Sequence, residues 1–201
     1  IHVANKELSN LISEAIGGEW IKDLDRLKDL EPYADDSQFR AQFRKVKHEA
    51  KLAWIRSVGI LVTPSFNAES LFDVQIKRIH EYKRQLLNVL HVVTRYQRIL
   101  EGKDVRGVRR TIIIGGKAAP AYHRAKLIIK LIHDVAATLR LNPQIDQQLR
   151  LHFLEDYDVT KAMILIPATD LSEQISMAGT EASGTSNMKM VMNGALTDRK
   201  S

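Results

Sequence analysis

Apolar residues recur at helical spacing through the first quarter of the chain, and then short strand-like runs alternate with further helical stretches. Asn5 can cap a helix running to about Ile16, which Gly17-Gly18 would end. A second helix is predicted from Trp20 to Leu30, before Pro32. A third begins near Asp36-Ser37 and places Phe39, Phe43, Val46, Ala50 and Trp54 on one face at three- and four-residue spacing. Thr63-Pro64-Ser65-Phe66-Asn67 breaks that pattern.

From residue 70 the period shortens. Leu71 to Arg78 alternates, with Phe72, Val74 and Ile76 on one side, as a strand would. A helix is expected from about Glu81 to Leu100, with Leu86, Leu87, Leu90 and Val93 facing inward and Gly102 and Gly107 in the loop beyond. Thr111-Ile112-Ile113-Ile114 is continuously apolar, as a strand buried on both faces is. Gly115-Gly116 turns the chain toward a helix beginning near Pro120, with Ala125, Ile128, Ile129, Ile132, Val135 and Leu139 on one face and Asn142-Pro143 closing the unit. Leu149 to Leu154 reads as another strand. Val159 to Ile166 is expected as a short helix stopped by Pro167, with a strand as the alternative, and Leu171 to Ser176 as an extended piece. A last helix starts at Ser183 or Thr185, runs through Met192 and ends at Gly194.

This order predicts an α/β fold: a parallel sheet with helices on both faces and a helix-rich N-terminal stretch. Its expected divisions are a helical segment over 1–68, a core over 69–197 and a tail over 198–201. In such sheets ligands bind beyond the carboxyl ends of the strands. Here that rim would carry Lys77-Arg78, Gly115-Gly116-Lys117, Glu155-Asp156-Tyr157 and the loop 177–187.

Composition narrows the chemistry. With 44% hydrophobic and 27% charged residues, the balance is that of a globular chain able to bury a core. No apolar run approaches the ~20 residues of a membrane helix, and no secretory leader pattern opens the sequence. The absence of cysteine excludes disulfides, thiolate metal sites and cysteine nucleophiles. The expected location is cytoplasmic, or plastidial in a plant. A net charge of +6 suits an anionic ligand, or else a solvated basic face. The first residue is Ile1 and helical pattern begins almost at once, so a piece of a longer protein is expected.

Three stretches could hold an anion. Glu181-Ala182-Ser183-Gly184-Thr185-Ser186-Asn187-Met188-Lys189 is a small-residue loop opening a helix. Backbone N–H groups and hydroxyls there can cradle a phosphate. Lys189, about a turn later, could form a Schiff base with a phosphate-bearing aldehyde cofactor. An ordinary capped helix with an exposed lysine fits the same residues. Lys77-Arg78-Ile79-His80-Glu81-Tyr82-Lys83-Arg84 packs cations at a strand end and helix start. Cations there oppose the helix dipole unless an anion compensates, although a solvated basic turn would show the same pattern. Gly115-Gly116-Lys117 resembles a phosphate turn without the full Walker or Rossmann spacing. The histidines, His80 and His123 included, lack zinc-type spacing.

Phe72-Asp73-Val74-Gln75-Ile76-Lys77-Arg78-Ile79-His80-Glu81-Tyr82-Lys83-Arg84-Gln85-Leu86-Leu87-Asn88 closely resembles the phosphate-site segment of the α-glucan (glycogen or starch) phosphorylases. Asp170-Leu171-Ser172-Glu173-Gln174-Ile175-Ser176, continuing through Glu181 to Lys189, resembles that family's cofactor-lysine segment. Ile114-Gly115-Gly116-Lys117-Ala118-Ala119-Pro120 is a third match in the same order. The resemblance runs from the first helix to about Thr197.

It implies part of the C-terminal domain of a GT-B fold, two Rossmann-like domains facing across a cleft. The implied reaction is phosphorolysis of terminal α-1,4-linked glucose to α-glucose 1-phosphate with retention, with pyridoxal 5'-phosphate on Lys189. The implied partners are an α-1,4-glucan, inorganic phosphate, the remainder of the phosphorylase chain and a second copy in a homodimer. By the same resemblance Lys77 and the Gly184-Thr185 backbone hold the cofactor phosphate, with Tyr157 near the pyridine ring. Arg78 and Lys83 hold the substrate phosphate. Tyr82, Glu181, Ser183 and Gly184 line the glucosyl pocket, and Lys117 and Tyr122 lie at its mouth. Two neighbouring phosphates repel by roughly 4 kcal/mol per charge pair at an effective dielectric near 20, so the implied site needs several cations.

Ser186 replaces a frequent glycine, as in plant-type members, and Met190 replaces an aromatic. Thr197-Asp198-Arg199-Lys200-Ser201 departs from the family's continuation, an Ile-Gly-Thr strand and an Asp-Gly-Ala-Asn loop. Little or no phosphorylase activity is therefore expected of this chain by itself. The competing reading is a basic α/β module for nucleotides or nucleic acid. Against nucleic acid stands the lack of aromatics interleaved along a basic face. A third is a remnant that folds and associates without catalysis.

Overall fold

The computed structural model describes residues 1–58, 66–103, 107–181 and 183–198. Five strands form one parallel sheet: β1 (Leu71–Ile76), β2 (Arg110–Gly115), β3 (Leu149–Leu154), β4 (Leu171–Glu173) and β5 (Leu196–Asp198). Their order, β3-β2-β1-β4-β5, is that of a doubly wound sheet. Register is set by β1 against β2, from Leu71 opposite Arg110 to Ile76 opposite Gly115. The order reverses between β1 and β4, so the crevice at their carboxyl ends is where a ligand is expected.

Seven α-helices accompany the sheet among the described residues: α1 (Lys6–Ile16), α2 (Ser37–Ser57), α3 (Gln85–Leu100), α4 (His123–Arg140), α5 (Pro143–Asp146), α6 (Val159–Ala168) and α7 (Ser186–Met192). Alternation along the strands divides the core. Ile112 and Ile114 pack with Val89 and Val92 of α3 and Ile128 and Ile132 of α4. Ile113, with Phe72, Val74 and Ile76, packs on the other face against Trp54 of α2, Leu165 of α6 and Met190 of α7. A smaller cluster of Leu8, Ile12 and Trp20 roots the N-terminal helices. No helix is long and apolar enough to cross a membrane among the described residues.

Several expectations are corrected. The second helix is a pair of 3-10 segments, Glu19–Ile21 and Leu24–Ala34, and the latter continues through Pro32. Pro tolerates this because it sits near the end of a segment whose φ it matches. Glu81–Lys83 is a separate 3-10 turn, and α3 starts at Gln85 after Arg84 takes the left-handed conformation, φ 59° and ψ 33°. The face of α3 that turns inward is Gln85, Asn88, Val89 and Val92, while Leu86, Leu87 and Leu90 are exposed. Hydropathy picked the leucine stripe; the sheet takes a neighbouring one, because amides at its end find acceptors in the adjoining turn. Beyond Asn142, a one-turn helix, α5, is capped by the Asn142 side chain. Pro167 lies inside the last turn of α6 rather than stopping it. A strand, β5, occupies Leu196–Asp198 where none was expected. The break at Thr63-Pro64-Ser65 and the tail from Arg199 to Ser201 lie outside the described residues.

Candidate functional site

The crevice between β1 and β4 is built from the turn after β1 and the loop after β4. The Lys77 N–H donates to the Gly115 carbonyl at 2.9 Å, carrying the β1–β2 pairing one residue past the strand. Gly116 makes this possible. A Cβ there would lie 1.8 Å from the Lys77 carbonyl oxygen, and its φ is +154°, so no other residue fits. Gly115-Gly116 thus serves as a packing point beneath Lys77, and Lys117 contributes its carbonyl, which accepts from the Ile79 N–H at 3.1 Å. The Lys117 side chain is exposed.

Two of the expected cations converge on one carboxylate. Lys77 Nζ donates to Glu181 Oε1 at 2.8 Å and to Oε2 at 2.9 Å. Lys83 Nζ donates to Glu181 Oε1 at 3.0 Å. The Ser176 hydroxyl also donates to Glu181 Oε2. Burial by itself would raise the Glu181 carboxyl, but the hydrogen bonds from Lys77, Ser176 and Lys83 outweigh it and hold the pKa at about 2. Lys83 is lowered by burial, yet Glu181 and Tyr82 more than compensate and leave it above its ordinary value. Its ammonium lies 4.7 Å from the Tyr82 ring centroid. Gly184 closes the group with φ +56°; a Cβ there would be 3.5 Å from Glu181 Oε1 and 3.8 Å from Lys77 Nζ. Of the residues picked from sequence, the structure therefore gathers Lys77, Lys83, Tyr82, Glu181 and Gly184.

The others are arranged around them. Arg78 is exposed, and among the described residues its guanidinium has no hydrogen-bonding or ionic partner. Ser183 and Thr185 are exposed on the loop leading into α7. Asn187 Oδ1 is buried without a partner and lies 3.7 Å from where a Gly184 Cβ would sit. Tyr157 and Lys189 line a cavity of about 500 Å³ with Met163, Ile166, Pro167 and Met192. Lys189 is exposed, and its ammonium makes no hydrogen bond or ion pair among the described residues. The Tyr157 hydroxyl is raised above its ordinary pKa by burial and by Asp158. Tyr122 donates to Glu81 Oε2 at 2.7 Å, and its ring lies 4.9 Å from that of His80, which also packs on Tyr82 at 4.4 Å. Among the described residues no group of His, Asp and Glu could hold a metal ion.

Sequence reasoning gave no role to Ser176, Gln75, Gln85 or Asn88. Gln75 Nε2 donates to the Lys83 carbonyl at 3.0 Å, and Asn88 Nδ2 donates to Gln75 Oε1 at 3.0 Å. Gln85 Nε2 donates to the Arg78 carbonyl at 3.1 Å and its Oε1 accepts from the His80 N–H at 3.3 Å. The available signal was three amides, Gln75, Gln85 and Asn88, flanking a cation-rich turn; that they face the core shows only in the structure.

Comparison with known proteins identifies the family. The sequence profile of the carbohydrate phosphorylases matches residues 1–198. Over 195 residues, 97% of the chain, the sequence is 54% identical to a glycogen phosphorylase of Synechocystis sp.. Identity is 53% to the muscle form of glycogen phosphorylase from Oryctolagus cuniculus and 52% to the liver form from Homo sapiens, over the same length. The chain spans 23% of the length of each of these relatives. By profile and by identity, this chain belongs to the carbohydrate phosphorylase family.

Proposed function

We propose that the chain is the anion- and cofactor-binding part of an α-glucan phosphorylase that uses pyridoxal phosphate and transfers a terminal α-1,4-linked glucose to inorganic phosphate. The observation that carries this reading is the convergence of Lys77 and Lys83 on Glu181 at the sheet's switch point, with Arg78 beside them and unpaired among the described residues. A surface salt bridge needs one cation, and two lysines with a nearby free arginine suit more negative charge than one carboxylate carries.

The residues present fit a pyridoxal phosphate. The 500 Å³ cavity at Lys189 and Tyr157 is in the usual range for a small-molecule site, about 300–1,000 Å³. Its largely apolar walls, Met163, Ile166 and Met192, suit a ring, and the Lys189 amine is free to hold an aldehyde. Lys77 with the Gly184-Thr185 backbone would hold the cofactor phosphate. When bound, the cofactor supplies a phosphate group whose second ionisation, with a pKa near 6, lets it exchange a proton around neutral pH.

Arg78 and Lys83 would hold the substrate phosphate, Arg78 through two parallel N–H donors. The bond from the glucosyl C1 to the departing glucan oxygen breaks, a bond from C1 to a phosphate oxygen forms, and the phosphate's proton passes to the departing oxygen. The same phosphate anion would stabilise positive charge developing at C1. Glu181, kept ionised by its lysines, would accept hydrogen bonds from glucosyl hydroxyls, with Tyr82 and Ser183 completing the pocket.

The test is reductive labelling. The chain is incubated with pyridoxal phosphate, reduced with borohydride and digested. Label concentrated on Lys189 is the expected result; label absent, or scattered over surface lysines, would overturn the assignment. Strongly salt-dependent binding to DNA without such label would favour a basic nucleic-acid module instead.

A further inference from the structure

We propose that Gln85 and the Gln75–Asn88 pair are positioning residues for the anion site: buried side-chain amides that fix the shape of the turn carrying Lys77, Arg78 and Lys83. The proposal rests on the reading of those three cations as anion-holding.

Gln75 and Gln85 are fully buried and Asn88 is 2% exposed. Gln85 and Gln75 bond the turn directly, and Asn88 acts on it through Gln75. Gln85 bridges the backbone on either side of Ile79, donating to the Arg78 carbonyl and accepting from the His80 N–H. Asn88 and Gln75 form an oriented relay, Asn88 N–H to Gln75 oxygen and Gln75 N–H to the Lys83 carbonyl. The two devices grip opposite ends of a segment of six residues, 78–83, which carries Arg78 exposed and Lys83 bonded to Glu181 while Ile79 roots it in the core.

The turn needs such a grip. It contains a 3-10 segment and then Arg84 at φ 59°, a conformation that a non-glycine residue keeps only where its surroundings hold it. On its far side the turn is tied to the Glu181 loop, with the Met177 N–H donating to the Tyr82 carbonyl at 2.8 Å and Arg84 Nε donating to the Ile175 carbonyl. Packing alone would not choose these residues. Helix α3 buries Gln85 and Asn88 while Leu86, Leu87 and Leu90 on the same two turns stay exposed. Buried amides are tolerated only when hydrogen-bonded; here Gln85 finds the Arg78 carbonyl and the His80 N–H, Gln75 finds the Lys83 carbonyl, and Asn88 reaches the turn only through Gln75, its own Oδ1 unpartnered among the described residues.

Sulfate, whose charge is constant from pH 5.5 to 8, serves as the probe in calorimetric titrations of the 201-residue chain. Gln85→Met and Asn88→Asp are each expected to weaken sulfate binding about three- to tenfold with helix content unchanged. Gln85→Glu is the near-isosteric variant. At pH 8 its carboxylate cannot donate to the Arg78 carbonyl, and binding should fall similarly. At pH 5.5 a buried glutamic acid is protonated and recovers both hydrogen bonds, so binding should return to within about twofold of wild type. Gln85→Met, which adds no charge, should show the same loss at both pH values and so separates lost hydrogen bonds from repulsion of sulfate by the variant's carboxylate among Arg78, His80, Lys83 and Arg84. Gln85→Glu binding like wild type at pH 8, or staying weak at pH 5.5 while folded, would overturn the proposal. If the unaltered chain fails to bind sulfate, or if Lys83→Met binds as well as wild type, the anion reading itself falls. That failure is distinguishable because it occurs with all three amides intact.

Discussion

Among the described residues, two buried lysines on α2 and two part-buried lysines at the crevice are treated differently. Lys47 and Lys51 lie on α2, under the loops that join α6 to β4 and α7 to β5. Lys47 Nζ donates to the carbonyls of Pro167 at 2.7 Å, Thr169 and Asn193 at 3.4 Å, so it caps the ends of two helices at once. Lys51 Nζ meets Asp170 Oδ2 at 2.6 Å and the Ser70 carbonyl at 2.9 Å. Lys77 and Lys83 lie at the switch-point crevice and share Glu181. Burial separates the pairs only in degree: Lys47 and Lys51 are buried as whole residues and Lys77 and Lys83 part-buried, yet the side chains of Lys51, Lys77 and Lys83 are 10%, 7% and 11% exposed. What separates them is how the acceptors are held: Lys47 meets only backbone carbonyls, and the Asp170 carboxylate that meets Lys51 is itself pinned by the Phe72 N–H. Backbone carbonyls cannot leave, whereas one carboxylate on a loop can be exchanged for, or joined by, a ligand anion. A buried lysine is thus evidence for a site only when its partner is a side chain with somewhere else to go.

The largest effect should come from the first pair. Lys47→Met keeps the length and the apolar stem but leaves three carbonyls without their donor. The expected cost is roughly 2–4 kcal/mol in urea unfolding, since each stranded buried acceptor costs about 1 kcal/mol or more. Next in size is the second pair. Lys77→Met and Lys83→Met should each weaken sulfate binding by about tenfold, the loss of one charge-assisted contact worth ~1.4 kcal/mol. Their unfolding free energies should move by only about 1 kcal/mol, because Glu181 keeps one lysine and Ser176. If Lys77→Met destabilised the chain as much as Lys47→Met, the contrast between a structural and a functional pair would be lost.

The sequence displayed the second pair and concealed the first. Lys77 and Lys83 stand in a local cluster of cations at a strand end, where the unfavourable density of charge is itself the signal. Lys47 and Lys51 interrupt the Phe43, Val46, Ala50, Trp54 stripe of α2 and look like the polar edge of an amphipathic helix. Their acceptors, Pro167, Thr169 and Asn193, lie 120 to 146 residues away and are backbone atoms, which no pattern of side chains reports. The α3 leucines failed for the related reason. Gln85 and Asn88 are cheap to bury only because the folded turn offers partners, so hydropathy ranks the wrong stripe as core. Strand β2 was legible because its isoleucines are buried on both faces and need no partner beyond each other, and β1 because Phe72, Val74 and Ile76 alternate with polar residues. Strand β5 was not legible, since three residues give too short a run to show a period.

Smaller effects separate the pairs by pH. Burial, opposed by Asp170 and aided by Lys51, lowers the Lys47 pKa from 10.5 to about 8. Between pH 8 and 10.5 the unfolded chain binds a proton that the folded chain does not, so stability should rise with pH across that window. Glu181 runs the other way along the scale. Its folded pKa of about 2 against an ordinary 4.5 gives stability that is present above pH 4.5 and lost as pH falls toward 2. Urea midpoints measured against pH should lose the alkaline rise in Lys47→Met and the acid fall in Glu181→Gln. Between these windows, Glu173 is pushed up to about 8 by burial and by Asp73 and Asp198, so stability falls as pH rises from 4.5 to 8. That slope should survive both substitutions and flatten in Glu173→Gln, leaving what Asp73, also raised by burial, contributes. An alkaline rise that persisted in Lys47→Met would assign it to another group and break the account of the first pair.

The smallest expected change concerns the helix from which the second pair is held. Leu87 and Leu90 are 45% and 52% exposed, and Val89 between them is fully buried. Leu87→Lys and Leu90→Lys should each shift the unfolding free energy by no more than about 0.5 kcal/mol, as exposed substitutions do, and leave sulfate affinity unaltered. Val89→Ala, which removes two buried methyl groups, should cost about 1–3 kcal/mol. Equal costs at 87 and 89 would mean that the leucine stripe is core after all. The amides on the opposite side would then be less constrained than their hydrogen bonds imply, and the turn bearing Lys77 and Lys83 would need another support.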